Sequence, residues 1–160
     1  MEHQISPGDM KWTRRGVLAG LSASLAVISL PVLGADADTA DAIKTAFGDA
    51  PRTDGKVTLT LPPLAETGNT VPLTVTVDSP MTPTDFVKRV VIFANRNPRP
   101  LIASFQFGPK AAKAVFSTNM RLSGTQDVIG VAEMSDGSLY QAQVRVMVTV
   151  GACDTLQLRY

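Results

Sequence analysis

The chain has 160 residues, 44% of them hydrophobic and 18% charged, enough for one domain with a buried core and too apolar for disorder by composition. Lys+Arg number 15 and Asp+Glu 14, so a net charge of +1 gives no electrostatic case for nucleic acid or an anionic membrane surface. One cysteine, Cys153, excludes an intrachain disulfide, and the single histidine and single tryptophan, His3 and Trp12, both lie in the first dozen residues.

The first segment reads as an address. Thr13-Arg14-Arg15-Gly16 leads into an uncharged stretch, Gly16 to Leu33, rich in Ala, Leu, Ser and Val. Ala35-Asp36-Ala37 offers a small-residue cleavage site. The layout predicts a cleaved twin-arginine export signal over 1–37, with a retained membrane anchor as the competing reading. The mature chain, starting near Asp38, is expected in the periplasm with no membrane contact. Without histidine it cannot run a Ser-His-Asp or Cys-His relay, and one thiol without imidazole makes no zinc or copper site. No metal and no cofactor are expected.

A short helix is predicted from Asp38 to Gly48. Asp38 or Thr39 can cap it, Ala42, Ile43, Ala46 and Phe47 form an apolar stripe, and Gly48 suits the stop. From Lys56 the period changes to two. Alternating sets run through Val57–Leu61, Val71–Val77, Leu101–Phe107, Ala114–Leu122 and Tyr140–Val150. Val87–Ala94 is almost continuously apolar after Lys88-Arg89, as in a central strand, and Val128–Met134 precedes an Asp136-Gly137 hairpin signal. About seven strands separated by Gly, Pro, Asn and Asp predict an all-β domain over 38–150. Its class is an immunoglobulin-like antiparallel β-sandwich preceded by a short helix.

Residues 151–160 form a separate C-terminal piece. Cys153 follows Gly151 and Ala152 just past the last alternating strand. A lone cysteine is usually a small buried hydrophobe. Its place near a chain end in an exported protein favours a reactive thiol or an intermolecular link instead. Gly151 and Ala152 are small and read as the flexible part of this arm. Met81, Met120, Met134 and Met147 come without His or a Met-x-x-Met cluster and read as core filling rather than a copper site. Lys88-Arg89 with Arg96 and Arg99 is a modest basic cluster, read as a solvated strand end and loop, with a protein-docking patch as the alternative. Asp78, Asp85, Glu133 and Asp136 receive no acid–base role, because nothing in the sequence places them in a cleft.

An ordered set of residues carries a family resemblance across nearly all of the mature chain. It runs Gly68-Asn69-Thr70-Val71-Pro72-Leu73-Thr74-Val75, Val77-Asp78-Ser79-Pro80-Met81-Thr82 and Ile92-Phe93-Ala94. It continues with Asn97-Pro98-Arg99-Pro100 and Val131-Ala132-Glu133-Met134-Ser135-Asp136-Gly137-Ser138-Leu139. In these the chain resembles the SoxY sulfur carriers of bacterial thiosulfate oxidation. The resemblance implies an immunoglobulin-like fold, twin-arginine export, and a heterodimer with a SoxZ-like β-sandwich subunit. It also implies a substrate carrier rather than an enzyme, holding sulfur intermediates covalently on Cys153 for partner sulfur-oxidation enzymes. The family arm is Gly-Gly-Cys-Gly-Gly. Here Ala152 and Asp154 flank the thiol, and Thr155-Leu156-Gln157-Leu158-Arg159-Tyr160 extends beyond it. Flanking glycines let a backbone thread a narrow cleft, so the added bulk, and the charge of Asp154 beside the sulfur, open an alternative. That alternative is a diverged, exported immunoglobulin-like adaptor without carrier activity.

Overall fold

The structure is a computed structural model and describes residues 35–152. All but the last three residues of the export signal predicted over 1–37, and Cys153 with the tail that follows it, lie outside the described residues.

Helix α1 spans Ala35–Phe47, opening upstream of the expected Asp38 so that the Ala35-Asp36-Ala37 segment is part of it. Asp38, in the first turn, lies toward the positive end of the helix dipole, which favours this earlier start. The helix stops as expected at Gly48, whose φ is 72° and whose amide donates to the Lys44 carbonyl at 2.7 Å.

Nine strands follow: β1 Arg52–Asp54, β2 Val57–Thr60, β3 Leu64–Thr67, β4 Val71–Val77, β5 Val87–Ala94, β6 Leu101–Gln106, β7 Ala114–Met120, β8 Gln126–Met134 and β9 Leu139–Val150. They form a six-stranded sheet in the order β1-β9-β8-β5-β6, with β3 also on β9, and a three-stranded sheet in the order β2-β4-β7. The seven strands expected from alternation are all present, and every pairing among them is antiparallel. The two additional strands, β1 and β3, pair parallel to β9. They are three and four residues long and almost wholly exposed, so neither carries the alternation that marks a half-buried strand.

The main core lies between the sheets. Leu73, Val75 and Val71 of β4 meet Val90 and Ile92 of β5, Val128 and Ala132 of β8 and Val146 of β9. At one side a stack of Phe105 on Phe116, with ring centroids 3.7 Å apart, joins β6 to β7. A second core lies on the opposite face of the larger sheet, where Ile43 of α1 packs with Val91, Phe93, Val131 and Leu139. This explains the continuous apolar run of β5. Val90, Ile92 and Ala94 face the inter-sheet core, while Val91 and Phe93 face the helix.

An ionic clamp holds the helix end to the sheet. Glu133 accepts from Lys88 Nζ at 2.7 Å and from Arg89 Nε at 2.6 Å. Arg89 Nη2 also donates to the Ala46 carbonyl at 2.8 Å, and its guanidinium lies 4.6 Å from the Phe47 ring centroid. Lys88-Arg89 is therefore a structural pair rather than a free solvated strand end. Its hydrogen bonds, the one from Lys88 first, hold the Glu133 carboxyl below its ordinary value of 4.5, against the opposing effect of burial. A depressed folded-state pKa contributes stability that is present above the ordinary value and lost as pH falls through the folded one. The Glu133→Gln substitution should therefore destabilise the fold at pH 7. Its deficit against wild type, measured by denaturant titration, should shrink steadily as pH is lowered below about 4.5.

Candidate functional site: the base of the C-terminal arm

Strand β9 is the longest in the fold and carries the chain to one end of the sandwich. Three loops meet it there: the turn at Gly68 between β3 and β4, residues 121–125 between β7 and β8, and residues 95–100 between β5 and β6. Backbone hydrogen bonds tie the first two to the chain end. The Gly68 amide donates to the Val150 carbonyl at 2.8 Å, the Leu122 amide donates to the Gly68 carbonyl at 2.8 Å, and the Ala152 amide donates to the Leu122 carbonyl at 3.0 Å. Leu122 itself is fully buried.

Only glycine fits at position 68. A Cβ there would collide with the Leu122 carbonyl oxygen and approach the Ala152 nitrogen to 2.9 Å. Both obstacles are backbone, so neither can rotate away. The close approach that excludes a side chain is the one that seats the arm.

Further bonds brace the same end. Thr125 Oγ1 accepts from the Val148 amide at 2.9 Å and donates to its carbonyl at 3.3 Å. Asn97 Oδ1 accepts from the Ser123 amide at 2.9 Å and from Gln126 Nε2 at 2.8 Å, while its Nδ2 donates to the Arg121 carbonyl at 2.8 Å. Gln126, only 1% exposed, accepts the Arg96 amide on its Oε1 at 2.9 Å. Ser123 Oγ donates to the Arg96 carbonyl at 2.7 Å. A buried polar side chain is costly unless bonded, and Gln126 is bonded at both ends of its amide.

Gly151 is buried, and Ala152 is half-buried with its amide bonded. Both residues read from sequence as the flexible arm thus sit in its seat. Cys153, the residue singled out as the carrier thiol, is outside the described residues. The basic cluster read from sequence divides. Lys88 and Arg89 belong to the clamp on Glu133, whereas Arg96 and Arg99 lie on the 95–100 loop at the arm end. Asp78, Asp85 and Asp136 follow β4, precede β5 and follow β8, away from the arm. Met81, Met120 and Met134 are core residues as expected, but Met147 is 58% exposed beside Leu64 on the outer face of β9.

Sequence reasoning quoted Gly68 and Asn97 as parts of a motif without seeing what they do. It read Leu122 only as the end of an alternating strand and did not single out Thr125 or Gln126. Their roles depend on pairings across up to about half the chain, which no local pattern announces.

A family model described as "Sulfur oxidation protein SoxY" matches residues 43–153. The chain belongs to the SoxY family. The match spans the helix stripe, both sheets and the seat, and ends on Cys153. The solved structure of the sulfur carrier protein SoxY from Chlorobium limicola f thiosulfatophilum is similar, with 31% identity, a TM-score of 0.60, and coverage of 71% of this chain and 98% of that one. A superoxide reductase (neelaredoxin) from Ignicoccus hospitalis has a TM-score of 0.53 at 13% identity, covering 58% of this chain and 79% of that one, which is a likeness of fold alone. No curated protein matches the sequence. SoxY membership assigns the chain to the sulfur oxidation proteins, and the similar solved structure is that of a sulfur carrier.

The seat yields a direct prediction. Gly68→Ala should lower stability by about 1–3 kcal/mol, as overpacking against fixed neighbours does. Hydrogen exchange at the Ala152 amide should quicken by more than the global stability loss accounts for, because the substitution strikes the bond that protects it.

Proposed function

We propose that this SoxY-family chain is a periplasmic carrier that binds sulfur-oxidation intermediates covalently through Cys153 and presents them to partner enzymes. One observation carries the reading. The family match ends on Cys153, and the residue before it is the last of a seat built from glycine packing and backbone hydrogen bonds. A carrier needs a thiol whose point of attachment is fixed and whose surroundings an enzyme can enclose. A thiolate is the nucleophile that takes up sulfur species, and chemistry on the loaded sulfur falls to the enzymes that enclose it.

The proposal includes twin-arginine export and a heterodimer with a SoxZ-like β-sandwich subunit. Export in a folded state suits a protein that assembles before crossing. The outer ladder groups of β6 and β7 are those of edge strands, which a sandwich covers or blunts. A stable complex would bury about 1,200–2,000 Å² in total. The competing adaptor reading draws on Ala152 and Asp154, which stand where the family arm has glycine.

Two measurements test this function. Intact-mass analysis of protein purified from thiosulfate-grown native cells should show sulfur-containing additions that vanish in Cys153→Ser. An unmodified Cys153 in such cells would leave the adaptor reading in place. Replacing Arg14-Arg15 with Lys-Lys should abolish periplasmic accumulation, and unchanged yield would exclude the twin-arginine route.

A further inference from the structure

The arm-bearing end carries an arginine face. Arg96 and Arg99 lie on the 95–100 loop and Arg121 on the 121–125 loop, and all three are exposed. Asn97, Ser123 and Gln126 lock these two loops together, so the three positions are held on one rigid platform. The same platform supplies the Leu122 carbonyl that seats Ala152.

None of the three arginines has a carboxylate partner among the described residues. Asp127, the nearby acid on β8, is already paired with Arg145 at 3.5 Å, and the exposed Glu66 lies on β3. Among the described residues, the end where the arm leaves thus carries three exposed cations with no carboxylate partner. The basic pair Lys88-Arg89, by contrast, is bonded to Glu133.

We infer that Arg96, Arg99 and Arg121 form a docking face for an acidic protein surface, the rim around the catalytic cleft of an enzyme that acts on Cys153. The inference rests on the carrier reading and adds where and by what chemistry the enzyme is recognised. A small anion is the poorer occupant. The arginines are exposed and spread over two loops, and no buried polar side chain is left unpartnered among the described residues to line a pocket. An extended exposed cationic face fits an extended anionic one. Such complementarity acts chiefly on the association rate and weakens with salt. It also suits a carrier that must engage and release several enzymes, since steering speeds encounter without slowing departure.

The test uses the full mature chain and, as the enzyme source, periplasmic extract from thiosulfate-grown cells lacking the carrier gene. Joining thiosulfate to the thiol forms a sulfur–sulfur bond and releases a proton and two electrons, so thiosulfate is added together with oxidised cytochrome c as electron acceptor, and the initial rate of mass gain on Cys153 is followed between about 0.01 M and about 0.15 M ionic strength, over which the Debye length falls from about 30 Å to about 8 Å. The Arg99→Glu/Arg121→Glu double variant alters side chains that make no hydrogen bond among the described residues, and a thermal midpoint verifies its fold. Arg99→Lys/Arg121→Lys serves as the charge-conserving control. Wild type and the lysine variant should load fastest at low salt. The glutamate variant should load about tenfold or more slowly there and show little salt dependence. Glutamate and wild-type chains loading alike, with the same salt slope, would overturn the docking face while leaving the carrier reading intact. Equal slowing in the lysine variant would overturn it as well, by showing that the two positions act through structure rather than charge. Failure of wild type to load at all would remove the carrier reading and the docking face with it.

Discussion

The close approach of Gly68 to Leu122 and Ala152 is the constraint on which the working end of this protein depends. Three backbone hydrogen bonds converge where a single Cβ has no room. They join the start of β4, the end of β7 and the end of β9, and so tie both sheets to the outgoing chain. Each bond is worth only about 1 kcal/mol net, so their importance lies in position more than in energy. They hold the chain at Ala152, next to Cys153. The Asn97–Gln126 network repeats the principle one layer out, with side-chain amides in place of backbone groups.

The rest of the domain supports that end with ordinary means. An inter-sheet core of valine, leucine and isoleucine fills the sandwich, and α1 covers the second apolar face of β5. The helix is held apolar side down by Ile43 and at its C-terminal end by Arg89, which Glu133 orients. Charge is used sparingly and locally. One cluster is consumed by structure, and one is left open beside the arm.

Most of the fold was legible because five of its strands keep a period of two, β5 carries an apolar run from Val90 to Ala94, and β8 leads into the Asp136-Gly137 turn. The helix was legible from the Ala42–Phe47 stripe and Gly48. The strands β1 and β3 were not, because each owes its conformation to parallel pairing with β9 and not to its own residues. At the candidate site Cys153 stood out by being alone and near the end. The seat beneath it did not, since Gly68, Leu122 and Gln126 look like any turn glycine, core leucine and polar loop residue until the topology brings them together. Gly151 and Ala152 suggested freedom by their size, yet small residues also fit where chains pack closely, and the latter use prevails here. The division of the basic residues was equally hidden, because Lys88-Arg89 and Arg96 are close in sequence but sit at opposite ends of β5.

The pairing of β1 and β3 with β9 has a consequence for how the chain acquires its shape. Elements made first wait for the one made last. Leu139 completes the contact set of α1, β1 pairs with residues 139–141, and β3 pairs with Met147–Val150. During synthesis α1, β1 and β3 must therefore wait for β9 before their contacts are complete. Contacts of such long sequence separation make slow folding, and the intermediate that waits exposes strand edges and the uncovered face of β5. Among the described strands, the last to be made, β9, is thus the one whose docking completes the contacts of α1, β1 and β3.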